Sequence, residues 1–164
     1  MAGLQLSARD LPRLEAIFGR LERRMVDTSP LMSRIGQAVE GDIEERFQTE
    51  TAPDGGRWAP SIRAREEGGK TLTASARLRQ SMTHNVRGRD EVEVGTNLIY
   101  AGVHQDGSTI RGGSGPLRFR LPGGLGFRSP EEVVIPARPF LGVSRDGEAE
   151  ILAQAEDYLA EMLP

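Results

Sequence analysis

Thr83-His84-Asn85-Val86-Arg87-Gly88-Arg89-Asp90-Glu91-Val92-Glu93-Val94-Gly95 is where the chain changes its rhythm. Val86 stands between polar residues, and Val92 and Val94 alternate with Glu91 and Glu93, the period of two of half-buried strands. Gly88-Arg89-Asp90 supplies the turn, so the stretch predicts two strands joined as a hairpin. Everything before it keeps the helical period. Leu11, Leu14, Ile17, Phe18, Leu21 and Met25 recur at three- and four-residue spacing, one face of an amphipathic helix, with Asp10 as its cap and Pro12 in its first turn. Asp27-Thr28-Ser29-Pro30 repeats the start signal. Leu31, Ile35, Val39, Ile43 and Phe47 then form a four-residue ladder predicting a second helix of about 18 residues, roughly 27 Å long. Such a ladder drifts about 40° per step, so this helix should touch its own sheet at one end and a neighbour at the other. Gly36 and Gly41 along it fit either close approach of another backbone or glycines that the helix merely tolerates.

Between the helices and the hairpin, Pro53-Asp54-Gly55-Gly56 reads as a turn, Trp58 as a packing anchor, and Ala74 to Met82 as a short helical stretch. Beyond the hairpin, Val94-Gly95-Thr96-Asn97-Leu98-Ile99-Tyr100-Ala101 leads into His104-Gln105-Asp106-Gly107, where a strand and a helical turn fit equally well. Seven glycines lie between Asp106 and Arg128, around the alternating run Leu117-Arg118-Phe119-Arg120-Leu121. Residues 107–128 are therefore read as an extended hairpin or arm. Val133-Val134-Ile135 is a last strand. Ser144 or Asp146 caps a terminal helix with Ile151, Leu152, Ala155, Leu159 and Met162 on one face. The expected fold class is α+β: N-terminal helices packed on a small, mostly antiparallel sheet, a long Gly-rich arm and a C-terminal helix, all in a single domain over 1–164.

With 164 residues, 5% aromatics, 20 glycines and 10 prolines, the core of this domain should be lean, and burial between subunits would supplement it. The absence of cysteine excludes disulfides, thiolate catalysis and Cys-based metal sites. No basic-then-apolar leader and no long apolar run is visible, so the expectation is a chain that is neither secreted nor membrane-spanning and assembles in the cytoplasm. Charge is unevenly spread. Residues 51–128 hold 12 Lys+Arg against 7 acids, whereas residues 129–164 hold 2 Arg against 8 acids, about +5 and -6. A basic face meeting an acidic face on the next subunit fits this better than nucleic-acid binding, because the belt lacks interleaved aromatics for base stacking.

Chemistry-bearing patterns are sparse. His84 and His104 lack metal-ligand spacing and read as structural histidines. Ser81 and Ser108 each lie near a histidine but in no nucleophile elbow. Gly112-Gly113-Ser114-Gly115 lacks the lysine and following helix of a phosphate loop. Glu44-Glu45 and Glu66-Glu67 point to different faces of a helix and read as solvated pairs. No catalytic residue, metal or cofactor is expected. In Ile135-Pro136-Ala137-Arg138-Pro139-Phe140-Leu141-Gly142 the prolines stiffen an extended chain, holding Arg138 for a bidentate pair with a carboxylate and Phe140 for burial.

These residues resemble the phage virion morphogenesis family, the tail-completion proteins of Mu-like and related tailed phages. The resemblance runs through Phe47 to Pro60 with Pro53-Asp54-Gly55-Gly56-Arg57-Trp58, then Leu72, Leu78, Val94 to Asn97, Tyr100-Ala101, His104-Gln105, Gly107 and Ile135 to Gly142. The family's usual Thr-Gly-x-Leu step appears here as Thr73-Ala74-Ser75-Ala76-Arg77-Leu78, a departure. The resemblance implies a non-enzymatic virion protein at the head–tail junction or tail end, similar to small neck proteins that form homo-oligomeric rings, often sixfold. Its partners would be copies of itself, neighbouring neck, connector and tail proteins, and genomic DNA passing through the lumen. Arg111, Arg118, Phe119, Arg120, Arg138, Phe140, Tyr100 and His104 are the expected interface residues. A second reading is a DNA-binding phage or prophage factor using the basic 111–128 segment.

Overall fold

A computed structural model describes residues 11–161. The Asp10 cap and Met162 lie outside the described residues. Helix α1 (Leu11–Val26) is followed after two residues by α2 (Ser29–Thr49), longer than its ladder suggested. Pro30 sits in the first turn of α2, and Glu50 ends the helix in the left-handed conformation at φ 58. Short helices α3 (Ile62–Glu67) and α4 (Arg77–Gln80) follow; Ser61 caps α3, accepting from the N–H of Ala64. β1 (Thr83–Arg87) and β2 (Glu91–Gly95) pair antiparallel with Val86 opposite Val92, the hairpin that the alternation predicts. The undecided stretch after it is helical, α5 (Ala101–Asp106).

β3 (Ser108–Arg111) pairs with β6 (Glu132–Ile135), and between them β4 (Phe119–Arg120) pairs with β5 (Phe127–Arg128). The Gly-rich segment is thus an extended hairpin, built in two tiers. Its tip returns to the body, where the N–H of Gly123 donates to Glu67 at 2.8 Å. α6 (Arg145–Ala160) closes the chain. The class is α+β, with three separate two-stranded antiparallel ladders in place of one sheet. The reason is local: α5 and then Gly107, at φ 75, carry the chain away from β2 before β3 begins.

The core forms where α2 crosses the rest. Val39, Ile43 and Phe47 of α2 are buried with Trp58, Leu78, Ala101 and Phe140. Phe47 lies between two rings, edge-on to Trp58 and tilted against Phe140, each 5.5 Å away centroid to centroid. Trp58 is the anchor expected of it. The drifting ladder lets α2 pack on β1 and β2 as well as on α6. Gly36 is a close approach, but to a side chain instead of a backbone: a Cβ there would fall 2.6 Å from the His84 ring. Gly41 faces open space.

α6 departs from its predicted face. Gly147 and Tyr158 are buried and Ile151 half-buried, whereas Leu152 and Leu159 are 63% and 46% exposed. Its cap sets the rotation. Ser144 accepts from the N–H of Gly147 at 3.0 Å and is itself held by Asp42 of α2, so the helix begins with Gly147 against that carboxylate.

Candidate functional site

The two stretches singled out in the sequence meet in space, and the junction is made of side chains that grip backbone. Gln105 on α5 accepts from the N–H groups of Phe140 and Leu141 at 3.0 and 2.9 Å and donates to the Leu141 carbonyl at 3.2 Å. One amide here does the work of a pairing strand. The N–H of Arg138 donates to the His104 carbonyl at 2.7 Å. Gly107 allows this proximity, since a Cβ there would stand 2.8 Å from the Ala137 nitrogen.

Two carbonyls of the segment are taken from the other side. Trp58 Nε1 donates to the Pro139 carbonyl at 2.9 Å, and Arg46 Nη1 to the Phe140 carbonyl at 2.6 Å. The prolines offer no N–H, so only their carbonyls need partners. Arg46 also pairs with Asp42 one helical turn earlier, and Asp42 in turn accepts from the N–H and hydroxyl of Ser144 at 3.1 and 2.6 Å. This buried node joins α2, the 138–144 segment and the start of α6. Burial pushes the Arg46 guanidinium below its ordinary pKa, with the Asp42 charge opposing that shift.

Arg138 is only 5% exposed, and its Nε donates to the Ala59 carbonyl at 2.7 Å. That replaces the expected carboxylate pair, because the extended chain on either side of Pro139 turns the side chain inward toward residues 58–60. Burial lowers its pKa as well. It also lowers the pKa of half-buried His104, and the positive charge of Arg138 adds to that effect. The Tyr100 ring stands edge-on to His104 at 6.1 Å.

The expected interface residues therefore divide. Arg138 and fully buried Phe140 hold the subunit together and are not available to a partner. Tyr100 and His104 flank that junction. Arg111, Arg118, Phe119 and Arg120 lie on the two-tier hairpin, where Arg118 and Arg120 are exposed, Phe119 is half-buried, and Arg111 pairs across the ladder with Glu132 at 3.0 Å. Asp42 and Arg46 escaped the sequence reading, although an acid four residues before an arginine on a helix is a recognisable pair. Exposed apolar side chains lie elsewhere: Phe18 and Met25 on α1, Ile99 before α5, Phe127 and Val134 on the hairpin, and Leu152 on α6. Among the described residues no group of three or more His, Asp or Glu is placed to hold a metal ion, and no helix is long and apolar enough to cross a membrane.

The two stretches thus build a clamped junction, with exposed apolar side chains left on α1 and on the hairpin. The chain belongs to the phage virion morphogenesis family, whose model matches residues 9–160. It is 28% identical over 156 residues to the Mu-like prophage FluMu G protein 2 of Haemophilus influenzae, covering 94% of this chain and 95% of that one. It is 31% identical over 123 residues to protein G of Escherichia phage Mu, whose name refers to capsid assembly, covering 70% of this chain and 68% of that one. No solved structure matches the chain. The coarse role is thereby given: this is a protein of virion assembly.

Proposed function

We propose that the protein is a non-enzymatic component of a homo-oligomeric ring at the head–tail junction or tail end, completing the tail and joining it to the head. The carrying observation is the distribution of apolar surface. The core is tightly clamped, yet α1 leaves Phe18 and Met25 65% and 61% exposed, a pattern suited to repeated contact with other subunits. The opposite charges of residues 51–128 and 129–164 support the same reading. Its partners would be further copies of itself and the neck, connector and tail proteins on either side. A map of assembled virions tests it: a ring of this chain at the neck or tail end is expected, and its absence from finished particles would overturn the proposal.

A second reading, DNA contact by the hairpin, draws on the exposure of Arg118, Arg120 and Arg128, with Phe127 75% exposed beside them. Duplex binding with a steep negative salt slope, reduced by Arg118→Ala with Arg120→Ala, is the outcome it requires. Arg111 contributes less, being paired with Glu132.

A further inference from the structure

α1 is strongly amphipathic, and while Ile17 and Leu21 are half-buried, Phe18 and Met25 on it are left exposed. Phe18 and Met25 are seven residues apart, two turns and about 10.5 Å along one side of the helix. α6 carries a counterpart on the same chain. Leu152 and Leu159, also seven apart, are exposed, and Ala149, Ala153 and Ala160 are exposed on the side of the helix turned away from α2. α6 is thus apolar twice over: Gly147, Ile151 and Tyr158 face the body, while two leucines and a flat run of alanines face outward. Large side chains on one helix and small ones on the other are the condition for close helix packing.

Charge favours the same match. α1 holds four arginines against two glutamates, net +2, whereas α6 holds one arginine against five acids, net -4. A second α1 would be repelled by α1, and a second α6 by α6, so the complementary union is α1 to α6. Within the chain the C-terminal turn of α1 comes near the end of α6, where Arg23 shares a cleft with Tyr158 and Glu161, yet Phe18, Met25, Leu152 and Leu159 all stay exposed, so a union of these apolar faces runs between copies.

We infer that α1 of one subunit docks on the outer face of α6 of the next, a head-to-tail contact that repeats around the assembly. Being heterologous, it propagates until rotation closes it, which is the requirement for a ring. The inference rests on the ring reading and specifies which surfaces make it.

Two variants test it: Phe18→Glu with Met25→Glu, which spoils α1, and Leu152→Lys with Leu159→Lys, which spoils the α6 face. All four positions are exposed, and thermal melting checks that each variant is folded; Ser at the same positions is the milder substitute should either fail. Sedimentation of the wild type should show association, and each variant alone should be a monomer. A one-to-one mixture should form heterodimers and stop there, because only one intact α1 and one intact α6 face can meet. Variants that still associate like the wild type overturn this inference and leave the ring reading standing. So does a mixture with no heterodimer. A wild type that remains monomeric at its highest soluble concentration overturns the inference too, whereas the ring reading falls only if the virion map lacks the ring.

Discussion

Replacing Gln105 by Ala would remove partners from the N–H of Phe140, the N–H of Leu141 and the Leu141 carbonyl in one step. Partly buried backbone groups left without partners cost about 1–3 kcal/mol each, and with water reaching some of them the expected loss is about 2–3 kcal/mol. Urea unfolding should show a lower midpoint with unchanged slope. Ala76 offers the opposite case. Counting back from Leu78, it occupies the glycine position of the family's Thr-Gly-x-Leu step, and its φ is 55, in the left-handed region. That conformation costs an L-residue roughly 1–2 kcal/mol, while glycine adds about 0.4–1 kcal/mol of unfolded-chain entropy. Ala76→Gly should accordingly stabilise the protein by about 0.5 kcal/mol, read from the same urea midpoint. His104 gives a pH dependence. Burial, reinforced by Arg138, holds its folded pKa below the ordinary value, so the unfolded chain takes up the proton first as pH falls. The stability it contributes is full above about pH 6.5 and declines below that until the folded histidine also titrates. Urea midpoints at pH 7.5 and 5.5 should differ less in His104→Gln than in the wild type.

Elements show what the sequence could reveal and where it stopped. The α2 ladder and the β1–β2 alternation were legible because each is a local period with one apolar side. The rotation of α6 was not, because Leu152, Ile151 and Ala155 fit several faces and the choice falls to Asp42, 102 residues before Ser144. The junction was legible as two separate motifs. Their meeting was hidden, since Gln105 and Arg46 bind backbone atoms, and a carbonyl acceptor has no sequence signature. The Arg138 expectation failed for this reason, a carboxylate having been sought where the Ala59 carbonyl serves. Asp42→Ala tests the node directly. It removes the support of the α6 cap and leaves Arg46, 3% exposed, as a buried charge without its acid. Loss of one member of a buried pair costs about 3–5 kcal/mol. Adding Arg46→Met should return part of that stability, because no unpaired charge then remains. A double variant no better than the single one would assign the loss to the cap alone.

Taken whole, the molecule has a clamped body and, ahead of it, a first helix that keeps large apolar side chains exposed. Phe47, Trp58, Phe140 and the Asp42–Arg46 node tie α2 to the middle of the chain and to α6. α1 is joined to this body through Asp27 and Thr28, and the hydroxyl of Thr28 donates to the Arg89 carbonyl at 2.6 Å. Before that point the Val26 carbonyl accepts a 3.4 Å hydrogen bond from Arg89, and Arg23 lines a cleft with Tyr158 and Glu161, while Phe18 and Met25 stay exposed. Tolerance to truncation follows the burial and bonding of the affected backbone, so a chain starting at Asp27 should keep the fold. Its melting midpoint should shift by no more than about 3 °C, equivalent to less than roughly 1 kcal/mol for a domain of this size. Assembly should respond in the opposite sense. If α1 exists to reach a neighbour, the truncated chain will sediment as a monomer and fail to complete tails when supplied in place of the full chain. A large fall in the melting midpoint would instead place α1 within the folding unit. Its exposed Phe18 and Met25 would then need an explanation inside the subunit.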